Sequence, residues 1–186
     1  GKLSKFHGAF LIVDSISSFA NEDLKMDAWN IDALVISSQK GLGLFPGTSY
    51  IVLGKRIFSK SLAKRNFYFD FSKYLGTVED MVLPFTPNSN SLMQLNHRLK
   101  QIKKEDIKLK IEKVNKQSEN FRNLIKILPV KIVAEDPANC VTALYTNRED
   151  VKDFFKKMQE KKIYFSPQGN EGGQIVVSHM GDVNFK

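Results

Sequence analysis

Lys40 and Asp14 are the two side chains whose positions in the sequence favour chemistry. Lys40 lies in a loop rich in small residues, 37–43, directly after the apolar run 33–36. Asp14 ends another apolar run, 9–13. Short apolar runs closed by Gly and Pro predict buried strands, and an amine just past such a strand can lose its hydrating water. Desolvation lowers the pKa of a lysine, and its neutral amine is a nucleophile toward a carbonyl carbon.

A carboxylate and an amine at the ends of two buried strands suit the cofactor pyridoxal phosphate. Ligands bind at the carboxyl ends of strands in an α/β sheet, so Asp14 and Lys40 can converge there. The amine can form a Schiff base with the cofactor aldehyde, and the carboxylate can keep the pyridine nitrogen protonated so that the ring accepts electrons. A structural Asp–Lys ion pair, or an ordinary loop lysine, explains the same residues without a cofactor.

Five short motifs resemble the class V aminotransferases, a group of fold type I pyridoxal-phosphate enzymes that includes alanine–glyoxylate and serine–pyruvate aminotransferases. In chain order they are VDSISS from Val13, DAWNID from Asp27, SQKGL from Ser38, Pro46-Gly47 and PFTP from Pro84. The resemblance extends over about residues 9–181. It implies that the chain is the C-terminal part of an enzyme that moves an amino group from an amino acid to a small 2-oxo acid.

The resemblance also implies roles for particular residues. Lys40 matches the lysine that binds the cofactor covalently and moves a proton at the substrate, and Asp14 matches the aspartate that pairs with the pyridine nitrogen. Ile16 matches an apolar residue that packs under the ring, and Gln39 matches a residue beside the phosphate. Thr86 matches a threonine that reaches the phosphate of a neighbouring subunit, which implies a homodimer with shared active sites.

The sequence departs from the family pattern at three places. Leu83 stands where the family often has a tyrosine, three residues before the threonine. Val176 stands near the position of the arginine that binds a substrate carboxylate, and no arginine follows Arg148. The family's glycine-rich phosphate loop and ring-stacking aromatic residue precede the strand that ends in Asp14, and this chain begins after them. We therefore expect a fragment that is inactive, or nearly so, by itself.

The pattern of apolar residues predicts an α/β protein with two parts. The resemblance implies that residues 1–87 are the C-terminal part of a fold type I large, cofactor-binding domain. Their pattern also predicts a short helix at 57–63 and, from Phe67, an aromatic segment that is either a strand or a packed loop. Residues 88–186 are predicted to form long helices, the first capped by Asn88 or Ser89, and then a small α+β domain with the order β-β-α-β-β. Its strands are predicted at 130–133, 141–145, 163–165 and 175–177, and its helix at 148–161. The expected apolar faces of the two long helices are Leu92, Leu95, Leu99 and Ile102 in the first, and Ile107, Ile111, Val114, Phe121, Leu124, Ile125 and Leu128 in the second.

Composition favours a globular protein in a reducing compartment. Apolar residues make up 42% of the 186 residues and charged residues 26%, and the single cysteine, Cys140, cannot form an internal disulfide. No apolar run approaches the length needed to span a bilayer. We therefore expect a cytoplasmic protein without a membrane partner. His7 and His97 have no partners at metal-ligand spacing, so no metal site is predicted.

Two alternative functions stay open. A pyridoxal-phosphate lyase or desulfurase of the same fold would use the same Lys40 and Asp14, although a desulfurase needs a mobile catalytic cysteine and Cys140 lies in a predicted strand. A basic nucleic-acid-binding module could use the segment 100–126, which carries much of the net charge of +8. Its basic residues are nearly all lysine and acidic residues are interspersed, so a solvated helix face is the favoured interpretation.

Overall fold

The computed structural model describes residues 2–58, 66–76, 82–163 and 173–181. The contacts between residues group the chain into two compact units: Gly1–Phe19 with Leu24–Glu105, and Ala20–Asp23 with Asp106–Lys186. In chain order the helices and strands are α1 Lys2–Phe6, β1 Ile12–Asp14, β2 Ala33–Ser37, β3 Ser49–Leu53, α2 Lys55–Phe58, α3 Phe71–Gly76, α4 Ser89–Glu105, α5 Ile107–Leu124, β4 Lys131–Ile132, β5 Val141–Tyr145, α6 Arg148–Glu160 and β6 Gln174–Ser178.

The division between the two compact units falls after Glu105, so α4 belongs to the first unit. The sequence instead predicts a domain boundary near Pro87. As a boundary between domains, Pro87 stays a prediction. Of the predicted helix at 57–63, the structure shows α2 up to Phe58, and the remaining residues lie outside the described part of the chain.

The first unit contains a three-stranded sheet in the order β1-β2-β3. Strands β1 and β2 are parallel, with Ile12 opposite Ala33, and β2 and β3 are antiparallel, with Ser37 opposite Ser49. Four of the five residues of β2 are buried, which agrees with its continuous apolar run. Strand β2 is therefore the central strand that carries the loop with Lys40.

The edge strand β1 is shorter and more exposed than predicted. We expected a buried strand over 9–13, but β1 covers Ile12–Asp14, and the side chains of Phe10 and Ile12 are 37% and 64% exposed. Among the described strands β1 pairs with β2 alone. The predicted burial is wrong because an apolar run by itself does not show whether a strand lies in the centre of a sheet or at its edge.

An ion pair between the buried Asp32 and the half-buried Arg56 ties the ends of the three strands together. Arg56 donates from Nε to Asp32 Oδ1 at 2.7 Å and from Nη2 to Asp32 Oδ2 at 2.5 Å, and Nη2 also donates to the Ala9 carbonyl at 2.6 Å. The backbone N–H of Leu11 donates to Asp32 Oδ2 at 2.8 Å. The hydrogen bonds from Arg56 hold the pKa of Asp32 below its usual value, although burial acts in the opposite direction.

Gly54 packs against the backbone that enters β2, so Gly54→Ala should destabilise the first unit. A Cβ at this position would lie 3.0 Å from the Ile31 carbonyl oxygen and 3.3 Å from that of Asp32. Because a backbone carbonyl cannot rotate away as a side chain can, we expect a loss of roughly 1–2 kcal/mol. Urea unfolding followed by the fluorescence of Trp29, the single tryptophan, measures this loss. An unchanged midpoint would show that the two backbone segments separate at no cost.

The aromatic segment that begins at Phe67 is a packed loop rather than a strand, which is one of the two structures that its sequence allows. The Phe67 and Tyr68 rings pack against Phe85, with centroids 5.6 and 4.9 Å apart. After the loop, Asp70 begins α3 by accepting a hydrogen bond from the Ser72 N–H at 3.0 Å. This loop therefore joins α3 to the segment that contains Thr86.

Helix α4 begins where predicted, but its buried face differs from the prediction. Asn88 accepts a hydrogen bond from the Ser91 N–H at 3.1 Å, as a cap should. The buried residues of α4 are Arg98 and Ile102, whereas Leu92 and Leu99 are each 43% exposed. The predicted apolar face is therefore wrong at two of its four positions, Leu92 and Leu99. The charged residue Arg98 is buried instead.

The second unit contains an antiparallel sheet in the order β4-β5-β6 with α5 and α6 packed on it. Its core cluster consists of Ile125, Leu144, Val151 and Ile175.

Val114 and Ile125 are buried as predicted, but Ile107, Leu124 and Leu128 are 39%, 72% and 50% exposed. The prediction fails at Leu128 because α5 ends at Leu124 and a 3₁₀ turn, Ile125–Ile127, changes the angular spacing of the side chains that follow. Leu124 is exposed although it lies in α5 itself. A strand was also predicted at 163–165, but Ile163 lies outside any strand, and the other two residues lie outside the described part.

His179 lies fully buried beside the second sheet. Its Nε2 is 2.8 Å from Thr142 Oγ1, and the same hydroxyl accepts a hydrogen bond from Arg122 Nε at 3.0 Å. Burial lowers the pKa of His179, and the charge of Arg122 lowers it further. The folded chain therefore favours the neutral imidazole.

The second unit should lose stability as the pH falls below about 6.5. The unfolded chain has an ordinary histidine pKa of about 6.5, and the folded pKa of His179 is lower. Between the two values the unfolded state binds more protons, so the stabilisation is complete above about pH 6.5 and is lost as the pH falls toward the folded pKa. Hydrogen exchange of the β5 and β6 amides at pH 7.5 and 5.5 measures it. His179→Gln should weaken the pH dependence, whereas His97→Gln, an exposed control, should preserve it.

Candidate active site

The candidate site lies at the carboxyl ends of β1 and β2, which are neighbouring parallel strands. Asp14 is opposite Val35 in the sheet register, and the backbone N–H of Ser15 donates to the Val35 carbonyl at 3.0 Å. Strand β2 continues to Ser37, and Lys40 follows three residues later. The parallel pairing therefore places Asp14 and Lys40 at the same end of the sheet, where the carboxyl ends of β1 and β2 lie.

Asp14 is exposed at this end, and its carboxylate is oriented by a local turn. Its Oδ1 accepts a hydrogen bond from the backbone N–H of Ile16 at 2.9 Å. Ser15, between them, is fully buried and donates from its hydroxyl to the Val35 carbonyl at 2.9 Å. The chain after β1 is thus held against β2, and Ile16 lies half-buried beside the carboxylate.

Lys40 is half-buried in a loop that closes on itself. The Ser38 N–H donates to the Thr48 carbonyl at 3.0 Å, and the Leu44 N–H donates to the Ser38 carbonyl at 2.9 Å. Between these contacts, the Gly43 N–H donates to the Lys40 carbonyl at 2.8 Å. Gly43 has φ +66°, a conformation that glycine adopts at little cost. Residues 38–44, which we name the lysine loop, thus form a compact turn around Lys40.

The lysine loop has a buried side and an exposed side. Leu42 is 1% exposed and Ser38 is fully buried, whereas Gln39 is exposed. The Ser38 hydroxyl donates to Gln39 Oε1 at 3.3 Å, so it orients the side chain that was assigned to the cofactor phosphate. Arg98 of α4 donates from Nε to the Leu42 carbonyl at 2.8 Å, a contact between residues far apart in sequence.

Thr86 lies in a different segment of the first unit, immediately before α4. Its side chain is exposed. The nearby first turn of α4 is tied to β3 by the Tyr50 hydroxyl, which lies 3.0 Å from Ser91 Oγ. Leu83, which replaces the family tyrosine, is 52% exposed. Asp14, Ile16, Gln39 and Lys40 thus all come at or just after the carboxyl ends of β1 and β2, whereas Thr86 belongs to the segment before α4.

The groups at this end fit a pyridoxal cofactor in their chemistry. A primary amine on a closed turn and an oriented carboxylate on the adjacent parallel strand are the two groups that bind an aldehyde and a pyridine nitrogen. Val176, at the position of the family arginine, lies on β6 of the second unit and is 53% exposed. The roles assigned to Asp14, Ile16, Gln39, Lys40 and Thr86 stay predictions.

Metal binding and membrane insertion find no support in the part of the chain that the structure describes. Within it, no three or more His, Cys, Asp and Glu side chains are grouped so that they could hold a metal ion. None of its helices combines the length and the apolar character that crossing a bilayer requires.

The sequence is similar to several proteins, most of which are named aminotransferases. An aminotransferase of Methanocaldococcus jannaschii, otherwise uncharacterised, is 27% identical over 97% of this chain and 50% of its own length. The serine–glyoxylate aminotransferase of Hyphomicrobium methylovorum is 25% identical over 70% of the chain and 33% of its own length. The 42 kDa subunit of a soluble hydrogenase of Anabaena cylindrica is 27% identical over 97% of the chain and 49% of its own length. The chain thus spans about half the length of the relatives that it matches most completely, and no family model matches it.

Solved structures show the same correspondence with half of a longer protein. The alanine–glyoxylate aminotransferase of Nostoc has a TM-score of 0.83 and 23% identity, covering 97% of this chain and 51% of its own. The phosphoserine aminotransferase of Trichomonas vaginalis, solved with pyridoxal phosphate bound, has a TM-score of 0.73 and 16% identity, covering 91% and 49%. The predicted fold class is confirmed, because the chain has the fold of about half of a fold type I aminotransferase. In sequence the chain resembles the glyoxylate aminotransferases.

Proposed function

We propose that this chain is part of a pyridoxal-phosphate-dependent aminotransferase of class V, which moves an amino group from an amino acid to a small 2-oxo acid. The observation that carries the proposal is the position of Lys40 and Asp14 at one edge of the β1–β2 pair. The similarity to named aminotransferases over most of the chain supports it.

Each residue at the site has a distinct task in this proposal. Pyridoxal phosphate, when bound, supplies an aldehyde for covalent attachment and a ring that accepts electrons. Lys40 provides the amine for attachment and afterwards moves a proton at the substrate Cα. Asp14 holds a proton on the pyridine nitrogen, because an oriented carboxylate favours the charged ring. Ile16 supports one face of the ring, and Gln39 donates to the phosphate.

Thr86 is proposed to act across a subunit interface in a cytoplasmic homodimer. It is exposed and belongs to the segment before α4 rather than to the loops that follow β1 and β2, which is consistent with a contact to a neighbouring subunit's phosphate. We also propose that these 186 residues have little or no aminotransferase activity by themselves, because they match about half of each aminotransferase. Amino-acid turnover by this chain with added cofactor would contradict that part of the proposal.

Reductive trapping tests the proposed function directly. The chain is incubated with pyridoxal phosphate and treated with borohydride, and the modified lysines are identified by peptide mass spectrometry. We expect the label on Lys40 to form well ahead of the label on exposed lysines such as Lys25 and Lys104, because its loop is closed and half-buried. Labelling of all three lysines in proportion to their exposure would contradict the proposal.

The structure favours an aminotransferase over a desulfurase. Cys140 is 3% exposed and immediately precedes β5, and its backbone N–H donates to Glu22 Oε1 at 3.1 Å. A buried thiol on a fixed backbone does not suit a nucleophile that has to move to a cofactor. A lyase that uses Lys40 and Asp14 would be recognised by its products, since it releases a fragment of the amino acid instead of transferring the amino group.

A further inference from the structure

We propose that Arg98 is a positioning residue for Lys40, which it serves by fixing the lysine loop from α4. Its side chain bonds the carbonyl of Leu42, two residues after Lys40. The assignment rests on the function proposed for Lys40. Its effect on the loop itself can be measured without cofactor, so the two proposals can fail separately.

The guanidinium of Arg98 is buried against the lysine loop. The residue is 7% exposed, and Nε lies 2.8 Å from the Leu42 carbonyl oxygen. Nη1 donates to Gln101 Oε1 at 3.2 Å on the next turn of α4. A Cβ built on Gly43 would lie 3.9 Å from Arg98 Nη2, so the planar group passes directly beside the glycine of the loop. The guanidinium therefore bonds Leu42 and lies close to the next residue of the lysine loop, Gly43.

This contact holds the loop at the backbone carbonyl of its buried leucine. The side chain of Leu42 is 1% exposed, and its carbonyl accepts the hydrogen bond from Arg98. A hydrogen bond from a charged donor is stronger and shorter than one between neutral groups. The peptide that follows Leu42 therefore cannot rotate freely. Because the Gly43 N–H donates to the Lys40 carbonyl, that restraint reaches the backbone of Lys40 itself.

The position of Arg98 on α4 also indicates a specific contact rather than a contribution to packing. It lies three residues after Leu95 and four before Ile102, on the same helix face. An apolar side chain at such a position costs nothing to desolvate, and replacing a buried charge by one is often neutral or stabilising. An arginine here therefore makes sense as a donor to the loop, and Arg98→Met should separate loop geometry from overall stability.

Hydrogen exchange without cofactor provides the first measurement. In Arg98→Met, protection of the Gly43 and Leu44 amides should fall by about tenfold, the effect expected for one charged hydrogen bond. Protection of the β2–β3 amides should change less than about twofold. Arg98→Lys should fall between the two, since a lysine donates without the rigid fork of arginine. The control Lys100→Met removes a charge from the exposed side of the same helix and should leave the loop amides unchanged.

Reductive labelling provides the second measurement, as the ratio of label on Lys40 to label on Lys104. We expect this ratio to fall about tenfold in Arg98→Met, to recover in part in Arg98→Lys, and to stay constant in Lys100→Met. Unchanged loop protection in Arg98→Met would overturn the proposal, and so would a loosened loop with an unchanged ratio. If the wild-type chain shows no preference for Lys40, the proposed function fails, and hydrogen exchange alone then decides whether Arg98 fixes the loop.

Discussion

Lys40→Ala should abolish the labelling of the lysine loop by pyridoxal phosphate and borohydride. Lys40 is the amine that the proposed function attaches to the cofactor, and alanine leaves no nucleophile at that position. In the complete enzyme the same change should also remove the proton transfer at the substrate, which lowers the rate by a factor of about 10²–10⁴. Mass spectrometry of the peptide that contains residues 38–44 measures the first effect, and single-turnover kinetics measures the second.

Two further variants make the Lys40 result specific. Lys40→Arg preserves the positive charge but offers no amine for attachment, so it should behave like Lys40→Ala. Lys25→Ala removes an exposed lysine of the same unit and should leave the labelling of Lys40 unchanged. Because Lys40 is half-buried at the end of a loop, we expect both Lys40 variants to unfold at nearly the wild-type urea concentration. Labelling that persists at its wild-type level elsewhere at the site would falsify the assignment of Lys40.

Asp32→Ala should cause the largest loss of stability in the first unit, about 2 kcal/mol, which is the range for removing the acceptor of hydrogen bonds from a charged group and a backbone N–H. The side chain of Asp32 is 4% exposed and accepts from Arg56 and from the Leu11 N–H. Its removal leaves that N–H without its acceptor and takes two hydrogen bonds from the guanidinium, at the point where the three strands meet. Urea unfolding followed by Trp29 fluorescence reports on this region, since Trp29 lies three residues before Asp32.

The same carboxylate predicts a loss of stability in acid. The folded pKa of Asp32 lies below its unfolded value of about 3.9. The unfolded state therefore binds more protons between the two values, so the stabilisation is present above about pH 3.9 and is lost as the pH falls toward the folded pKa. Asp32→Ala should flatten this dependence. Asp27→Asn, which changes an exposed aspartate nearby, should keep the wild-type profile, and a flattened profile in that control would assign the acid loss to other groups.

The candidate site was predictable in part because the strands that precede Asp14 and Lys40 can be recognised from short apolar runs in the sequence. An apolar run predicts a strand, and a polar residue after it marks the end of that strand, so the sequence alone predicts that Asp14 and Lys40 follow two neighbouring strands, as β1 and β2 are. Their roles at one site stay predictions. Arg98 could not be found in this way. A charged residue between Leu95 and Ile102 is ordinarily assumed to be exposed, and its acceptor, the Leu42 carbonyl, lies 56 residues earlier in the chain.

The helices show the same division. The start of α4 at an asparagine cap followed from local sequence, and the structure has that cap. The buried face of α4 did not follow, because exposure of Leu92 and Leu99 depends on what packs against each turn. After α5, the 3₁₀ turn that begins at Ile125 changes the angular position of Leu128, which is exposed. A regular period of 3.6 residues cannot anticipate such a local change in helical pitch.

The sequence by itself determined where β2, β5 and β6 run, which motifs follow them, and which amine and carboxylate could meet at a sheet edge. Only the tertiary structure decided what holds these pieces in place: Asp32 with Arg56, His179 with Thr142, and Arg98 with the Leu42 carbonyl. The physical reason is the separation along the chain, which is 24, 37 and 56 residues for these pairs. Local periodicity fixes elements within a few residues, whereas partners so far apart are selected by the path of the whole backbone.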